Sequence, residues 1–182
     1  SLEEGDELGW VRMTMGDSEI IMVTRGGQAL RIKETTIRGM GRQAAGVAGI
    51  KLKADDRLAS MEVIEPEGQL LVVTEHGYGK RTALTEYPEK GRATGGVTTL
   101  DGKYQQKTGR IAVARVVQEA DEVTLVSANG IMLRLKVKDI SMSGRATRGF
   151  KVMDLGDEDT VASLARINTS ELKGDEPEKP VE

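Results

Sequence analysis

Two series of arginines recur along this chain at a nearly constant spacing. The first follows a turn that contains glycine and comprises Arg31, Arg81 and Arg134. The second lies in a Gly-Arg-x-x-x-Gly segment that begins ten residues later and comprises Arg42, Arg92 and Arg145. Guanidinium groups bind phosphates through charge and paired hydrogen bonds. Because phosphates are recognised by charge, a regular set of arginines suits a path of successive phosphates.

The arginines belong to a sequence repeat. The first two copies are 50 residues apart and the next two are 53 apart, with the three extra residues between Val97 and Ile111. A repeat of this length indicates similar units stacked side by side, so the arginines should occupy equivalent points on successive units. Glycine recurs at positions 27, 77 and 130 and again at 46, 96 and 149, which suits turns with a positive φ.

Each unit begins with two predicted β-strands. An apolar run over residues 19–24, 69–74 or 122–127 ends in the glycine turn, and the chain returns with alternating side chains. In the third unit this alternation puts Leu133 and Leu135 on the face opposite Arg134.

Two further strands complete each unit. We expect a third strand over residues 47–52 and its equivalents, and a fourth over residues 58–64, 111–117 and 161–167. Four strands in about 50 residues are typical of propeller blades, and the 22 glycines disfavour a helical solenoid. The sequence therefore predicts an all-β fold, a β-pinwheel or propeller-like repeat of four-stranded blades.

About three and a half blades fit the length of 182 residues. Residues 5–12 align onto residues 55–62, so we interpret residues 1–17 as the end of a preceding blade and the chain as a fragment of a longer protein. The three blades then occupy residues 18–168. Their limits are about 18–67, 68–120 and 121–168, and residues 169–182 form an acidic tail predicted to be disordered.

The charge is unevenly distributed. The whole chain has a net charge of −3, yet residues 18–168 contain 23 basic and 19 acidic residues, a net of +4. The basic body favours an anionic partner, while both ends are acidic. Cysteine is absent from the sequence, which excludes disulfides and thiolate metal sites and agrees with a cytoplasmic location. An apolar run of eighteen residues is also absent, so we expect no membrane partner.

These repeats resemble the C-terminal domain of DNA gyrase A and its relative in the A protein of topoisomerase IV. The resemblance rests on the glycine turn with its arginine and on the Gly-Arg-x-x-x-Gly segment, and residues 74–82, 87–88 and 91–96 are close to the gyrase version. It covers about residues 5–168. It implies a six-bladed β-pinwheel whose blades exchange strands with their neighbours, with double-stranded DNA wrapped around a basic outer rim.

The resemblance also implies a function. The domain would bend duplex DNA to support negative supercoiling by an ATP-dependent type II topoisomerase in the bacterial cytoplasm, associated with the nucleoid. Its protein partners would be gyrase B and the N-terminal part of gyrase A. The fragment would be no enzyme by itself and would need no cofactor, because the catalytic residues, ATP and Mg²⁺ would lie in other domains.

Two alternatives stay open. The gyrase box, a Gln-Arg-Arg-Gly-Gly-Lys-Gly-like heptapeptide of the first blade, has no counterpart here. Its absence fits a missing upstream portion but leaves open the topoisomerase IV domain, which implies DNA-segment selection without full wrapping. A propeller scaffold that binds proteins through its loops is the second alternative, and a weak dependence of binding on salt would favour it.

The candidate DNA-binding residues are the six repeated arginines. Strand alternation favours a DNA-facing position for the first series, whereas the second series suits a rim contact and a loop anchor equally well. The single histidine, His76, lies in a turn, and we predict no catalytic residue and no metal site. The candidates of second rank for DNA binding are the basic residues Lys33, Lys80, Lys136, Arg38 and Arg148.

Overall fold

The computed structural model describes residues 2–168 and contains three antiparallel β-sheets, one for each repeat. The acidic segment 169–182 lies outside the described residues. Short 3-10 turns cover Glu34–Thr36, Leu84–Glu86, Gly102–Tyr104 and Val137–Asp139, and one short helix, α1, covers Gln105–Thr108. The strands are β1 Glu19–Thr24, β2 Gln28–Lys33, β3 Leu58–Val63, β4 Gln69–Thr74, β5 Tyr78–Ala83, β6 Val97–Thr98, β7 Ile111–Val117, β8 Glu122–Ser127, β9 Met132–Lys136, β10 Phe150–Lys151 and β11 Val161–Ile167.

The three sheets pack side by side as blades. Their strand orders are β3-β1-β2-β6, β10-β5-β4-β7 and β11-β8-β9. Strand β7 packs against both β3 and β11, so these three strands form the inner side of the arrangement. Strands β6 and β10 are at the opposite, outer edges of the first two blades. The all-β blade fold predicted from the repeat is confirmed.

Neighbouring blades exchange a short outer strand. Strand β6 belongs to the second repeat but pairs with β2 of the first blade, with Ala29 opposite Val97. Strand β10 of the third repeat pairs with β5 of the second blade in the same way, with Gly79 opposite Phe150. The strand exchange that the resemblance implies is therefore present at both junctions.

The expected strand over residues 47–52 is wrong for the first repeat. This segment forms only a single bridge, between Ile50 and Thr94. An exchanged strand needs the outer edge of a preceding blade, and the described residues contain no sheet before β1. The fourth strands are present as β3, β7 and β11.

Apolar side chains fill both faces of the blades. Ile21 of β1 packs with Leu70 and Val72 of β4 between the first two blades. On the other face of the first sheet, Ile20 and Leu30 belong to a separate cluster. A strand covered on both faces explains the apolar runs of the sequence, since alternation disappears where both faces are buried.

Gly77 shows why the turn glycines recur. Its φ of +78° is the left-handed conformation that favours glycine, and a Cβ atom there would lie 2.1 Å from the main-chain oxygen of Met153 in the next repeat. Gly130, at the same repeat position, has a φ of +86° but nothing within 4 Å of an added Cβ atom. The turn geometry is common to both repeats, and the tight packing belongs to the junction between blades.

The three extra residues of the second repeat lie where the chain crosses from β6 to β7. The 3-10 turn Gly102–Tyr104 and helix α1 occupy this crossing. The sequence pattern did not predict them, because a single turn of helix is too short to show a periodic pattern. No helix within residues 2–168 is long and apolar enough to cross a membrane.

Candidate nucleic-acid interface

Arg81 lies buried between the second and third blades, with only 4% of its surface exposed. Its Nε donates to the main-chain oxygen of Ile140 at 2.6 Å and its Nη2 to that of Lys138 at 3.1 Å. Its Nη1 donates to Oε1 of Gln69 at 2.7 Å. A guanidinium enclosed in this way has no face open to a phosphate. The prediction for Arg81 is corrected from a DNA contact to a link between blades.

Arg31 links the first and second blades at the equivalent place. Its Nη1 donates to the main-chain oxygens of Leu84 at 3.0 Å and Tyr87 at 3.4 Å, and its Nη2 pairs with Glu19. These carbonyls lie in or directly after the 3-10 turn of the second repeat, as those bound by Arg81 do in the third. The same correction therefore applies to Arg31, whose guanidinium is mostly used within the protein.

Arg134 is the exception in this series. It is exposed, and its Nε donates to the carboxylate of Glu122 on the neighbouring strand. Within the described part of the chain, no turn of a following repeat reaches its guanidinium. Arg134 thus remains available for a contact that Arg31 and Arg81 cannot make.

The alternating pattern correctly predicted which side chains of β2 share a face, but it did not predict what packs against each face. Leu30 and Ile32 are buried on one face of β2, as expected. The opposite face, which carries Arg31, packs against the next blade instead of facing solvent. Main-chain carbonyls of a neighbouring blade accept hydrogen bonds from a polar side chain just as water does. An alternating pattern therefore cannot predict whether the polar face of a strand is exposed to solvent or packs against such a blade.

The Gly-Arg series also links repeats. Nη1 of Arg92 donates to the main-chain oxygen of Ala48 at 3.3 Å, and Nη1 of Arg145 donates to that of Thr98 at 3.2 Å. Ala48 and Thr98 occupy the same repeat position, so the two contacts are equivalent. Arg92 remains exposed despite this bond, while Arg145 is half-buried. Arg42 is exposed, with no side-chain hydrogen bond or ion pair among residues 2–168.

Lys80 is buried, so the prediction that it contacts DNA is corrected. It instead supports the loop that precedes β10. Its Nζ donates to the main-chain oxygens of Gly144 at 3.0 Å and of Arg145, and approaches Oγ1 of Thr147 at 3.4 Å. Burial lowers the pKa of Lys80 to about 8, with Arg145 adding to the decrease and Glu86 opposing it. The equivalent residues Leu30 and Leu133 are apolar, so this support is specific to the second blade.

The other cations of second rank are exposed. Nζ of Lys33 forms an ion pair with Glu89 at 3.2 Å. The guanidinium of Arg148 lies over the ring of Tyr78, 6.0 Å from its centroid. Lys136 and Arg38 are exposed as well, on β9 and after the first 3-10 turn respectively. All four side chains are open to a ligand, unlike Lys80.

Basic segments follow the outer edges of the first two blades. We define the rim segments as residues 38–48, 88–98 and 141–151, which occupy the same positions in the three repeats. The second and third of them run along the outer edges of β2 and β5, since Glu89 bridges to Arg31, Met142 bridges to Arg81, and the segments end in β6 and β10. The outer edge of each of these two blades is thus formed by a segment of the following repeat.

The rim segments concentrate positive charge. They contain seven basic residues and one acidic residue, which leaves 16 basic and 18 acidic residues in the rest of residues 18–168. The net charge is therefore +6 on the rim segments and −2 elsewhere in the body. Six of the basic residues are exposed and Arg145 is half-buried; the exposed ones are Arg38, Arg42, Lys90, Arg92, Arg148 and Lys151.

Sequence reasoning missed Lys90 and Lys151. Neither residue recurs in the aligned repeats, so a search for repeated arginines passes over them. The signal that finds them is the charge summed over each aligned segment, because phosphates require cations on a surface and not at one repeat position.

A groove lies along the inner strands β3, β7 and β11. Its charged side chains are arranged differently from those of the rim segments. Its volume is about 450 Å³, and Arg12 and Arg115 both lie in its wall. Each forms an ion pair with the buried carboxylate of Glu62, at 2.8 Å and 3.4 Å. The two arginines share this single carboxylate, whereas no cation of the rim segments forms an ion pair with a carboxylate among residues 2–168. The outer rim is the surface suited to a polyanion.

Comparison with known families gives a match over most of the chain. A family described as DNA gyrase C-terminal domain, beta-propeller, matches residues 18–65, 68–118 and 121–168. The chain is 39% identical over 167 residues to the A subunit of DNA gyrase from Salmonella typhimurium, covering 92% of this chain and 19% of that protein. It is 36% identical over 178 residues to the A subunit of DNA gyrase from Mycobacterium bovis, covering 97% and 21%. The chain spans about a fifth of the length of these relatives.

Two solved structures share the fold. The C-terminal domain of DNA topoisomerase IV superposes with a TM-score of 0.87 at 29% identity, covering 96% of this chain and 56% of that one. The DNA gyrase A C-terminal domain superposes with a TM-score of 0.80 at 30% identity, covering 85% and 52%. In both cases the match extends over about half of the solved domain.

Proposed function

Because the chain belongs to the DNA gyrase C-terminal domain family, we propose that it binds duplex DNA along its three rim segments and bends the DNA around the blades. The observation that carries this proposal is the concentration of positive charge on the rim segments, two of which form the outer edges of the first two blades. Phosphates are bound by charge without regard to base sequence, and the rim segments offer one group of cations per repeat.

Bending requires several contacts to act together. Smooth bending of 20 to 30 base pairs costs on the order of 1–6 kcal/mol, which a single surface ion pair does not offset. The rim segments provide six exposed cations spread over three consecutive repeats. Because the blades are joined by exchanged strands and by the arginine links, the cations of the second and third rim segments are held at nearly constant relative positions, as a curved DNA path requires.

The proposed context is the gyrase holoenzyme in the bacterial cytoplasm, close to the nucleoid. There the domain supports negative supercoiling together with gyrase B and the N-terminal part of gyrase A. It contributes DNA binding and no catalysis, and the ATP and Mg²⁺ of the enzyme act in other domains. The charge of the rim supports this role for the domain.

Topoisomerase IV is the second candidate context. The superposition on the C-terminal domain of DNA topoisomerase IV, with a TM-score of 0.87, supports it. In that context the rim binds a DNA segment and selects it without wrapping it fully. A protein-binding scaffold is less well supported, because the rim segments contain seven basic residues and only one acidic residue.

A topological assay tests wrapping. Nicked circular DNA is incubated with the protein, sealed with DNA ligase and freed of protein, and the linking number is then measured. If the DNA wraps around the protein with a fixed handedness, the linking number should shift by an amount that grows with protein concentration and disappears at high salt. Binding without a shift would favour the topoisomerase IV context, and absence of any DNA binding would refute the proposed function.

A further inference from the structure

One point on the rim carries exposed aromatic surface in addition to charge. Phe150 on β10 is the only phenylalanine in the sequence, and it is 60% exposed. Its neighbours Arg148 and Lys151 are exposed cations, and Tyr78 lies beside them on β5. A basic surface with an exposed aromatic side chain offers two kinds of contact to a nucleic acid, one ionic and one apolar.

The exposure of Phe150 follows from its partner across the strand pair. Phe150 lies opposite Gly79, which has no side chain to cover it. At the equivalent junction Val97 lies opposite Ala29 and packs against the core between the first two blades. The same fold therefore half-buries a small apolar residue at one junction and exposes a large aromatic residue at the next.

The cations around Phe150 are ordered on an aromatic ring. Nζ of Lys151 lies 5.3 Å from the centroid of Tyr78, and the guanidinium of Arg148 lies 6.0 Å from it. Nζ of Lys151 also donates to the main-chain oxygen of His76 at 3.0 Å. Neither cation forms an ion pair with a carboxylate among residues 2–168, although Lys151 lines a pocket together with the acidic residues 157–159.

The segment that presents these side chains is held rigidly. Lys80 bonds the carbonyls of Gly144 and Arg145 from below, and Oγ1 of Thr82 donates to the main-chain oxygen of Ser143 at 3.0 Å. The main-chain N–H of Arg145 donates to Glu86 at 3.0 Å. Because the loop is fixed before any ligand binds, little ordering entropy is lost when it makes a contact.

We propose that Phe150 makes an apolar contact with the sugars and base edges of bound duplex DNA, while Arg148 and Lys151 bind the phosphates on either side. This inference rests on the proposed function and adds to it, because it names one place on the rim where binding is not purely ionic. The charge of the two flanking cations selects a polyanion as the partner, and the exposed ring supplies contact area that phosphates alone do not use.

The two kinds of contact differ in their dependence on salt. Replacing Phe150 with Ala removes apolar surface but no charge, so duplex affinity should fall by about tenfold while the slope of log K against log salt stays unchanged. Replacing Arg148 with Ala should instead reduce that slope by about 0.9. Ile131→Ala is the matched control, since Ile131 is 48% exposed on a hairpin with no flanking cation and should leave affinity unchanged.

A tryptophan introduced in place of Phe150 reports the contact directly. In a Trp10→Phe background, which removes the only native tryptophan, Phe150→Trp should show quenched fluorescence and protection from iodide when a duplex binds. Ile131→Trp in the same background should show neither change. If anisotropy shows the duplex bound while the fluorescence of the Phe150→Trp protein stays constant, the apolar contact is refuted. If the unaltered protein binds no duplex at all, the proposed function itself is refuted.

Discussion

Arg81 on β5 donates a hydrogen bond of 2.6 Å from Nε to the main-chain oxygen of Ile140, a residue of the next repeat. Arg31 makes the equivalent bond to Tyr87, which occupies the same repeat position as Ile140. The recurrence of these arginines is therefore explained by a link from each blade to the turn of the following one. Arg134 has no such partner within residues 2–168 and is exposed.

The first prediction compares Arg81 with Arg134. Arg81→Ala should lower the free energy of unfolding by about 2–4 kcal/mol, because it leaves buried carbonyls without donors. Arg134→Ala should change it by less than about 0.5 kcal/mol, since its pair with Glu122 is exposed. Chemical denaturation followed by circular dichroism measures both values. Equal losses in the two variants would contradict the link between blades.

The second prediction uses two glycines of the same repeat position. Gly130→Ala should cost about 1 kcal/mol, the penalty of a positive φ alone. Gly77→Ala should cost more than about 3 kcal/mol, because its Cβ atom would also collide with the main chain of Met153 across the blade junction. Thermal unfolding of both variants tests the difference. A Gly77→Ala protein as stable as Gly130→Ala would show that the junction is not tightly packed.

The third prediction concerns pH. Burial lowers the pKa of Lys80 to about 8, below the value of 10.5 that an unfolded chain retains. Between these two values the unfolded chain binds more protons than the folded one, so the free energy of unfolding rises with pH. From pH 8 to pH 10.5 we expect Lys80 to contribute a gain of about 1–3 kcal/mol.

Lys80→Met is the control for this effect. Other groups titrate in the same range, so the difference between the two pH profiles isolates the lysine. The variant should lack the additional rise while its profile below pH 8 runs parallel to that of the unaltered protein. Profiles that stay parallel up to pH 10.5 would mean that burial does not lower the pKa of Lys80.

The fourth prediction concerns the acidic segment 169–182, which contains five acidic and two basic residues. We expect these acids to compete with phosphates for the cations of the rim segments, since both are negatively charged. Deleting residues 169–182 should raise duplex affinity several-fold at low salt, and the gain should shrink as salt screens the interaction. A titration in which the shortened chain binds no more tightly would show that the segment does not reach the rim.

The repeat predicted much of the fold. Apolar runs and glycine turns located β1, β4 and β8 and the hairpins that follow them, because these features depend on local sequence. The strand exchange was implied only by the resemblance, since β6 and β10 are two residues long and show no alternation. Helix α1 was not predicted either, because its four residues are too few to show a periodic pattern.

The candidate site was harder to predict. Arg31 and Arg42 each stand in a series that recurs three times in the sequence, yet Arg31 is enclosed by the next blade and Arg42 is exposed. Lys80 gave no sign that it would be buried beneath a loop 64 residues away. Recurrence identifies positions that the architecture uses, whereas exposure depends on which neighbour covers them. Charge summed over the outer segments proved a better guide to the rim than any repeated residue.

The salt dependence of duplex binding tests the central claim that the rim segments bind DNA. One variant replaces Arg42, Lys90 and Arg148 with Ala, one exposed cation from each rim segment. A control variant replaces Arg57, Lys107 and Lys138, which are also exposed but lie outside these segments. The slope of log K against log salt should become less steep by about 2–3 in the first variant, at about 0.9 per phosphate contact, and stay unchanged in the control. Equal slopes in the two folded variants would contradict the assignment of DNA binding to the rim.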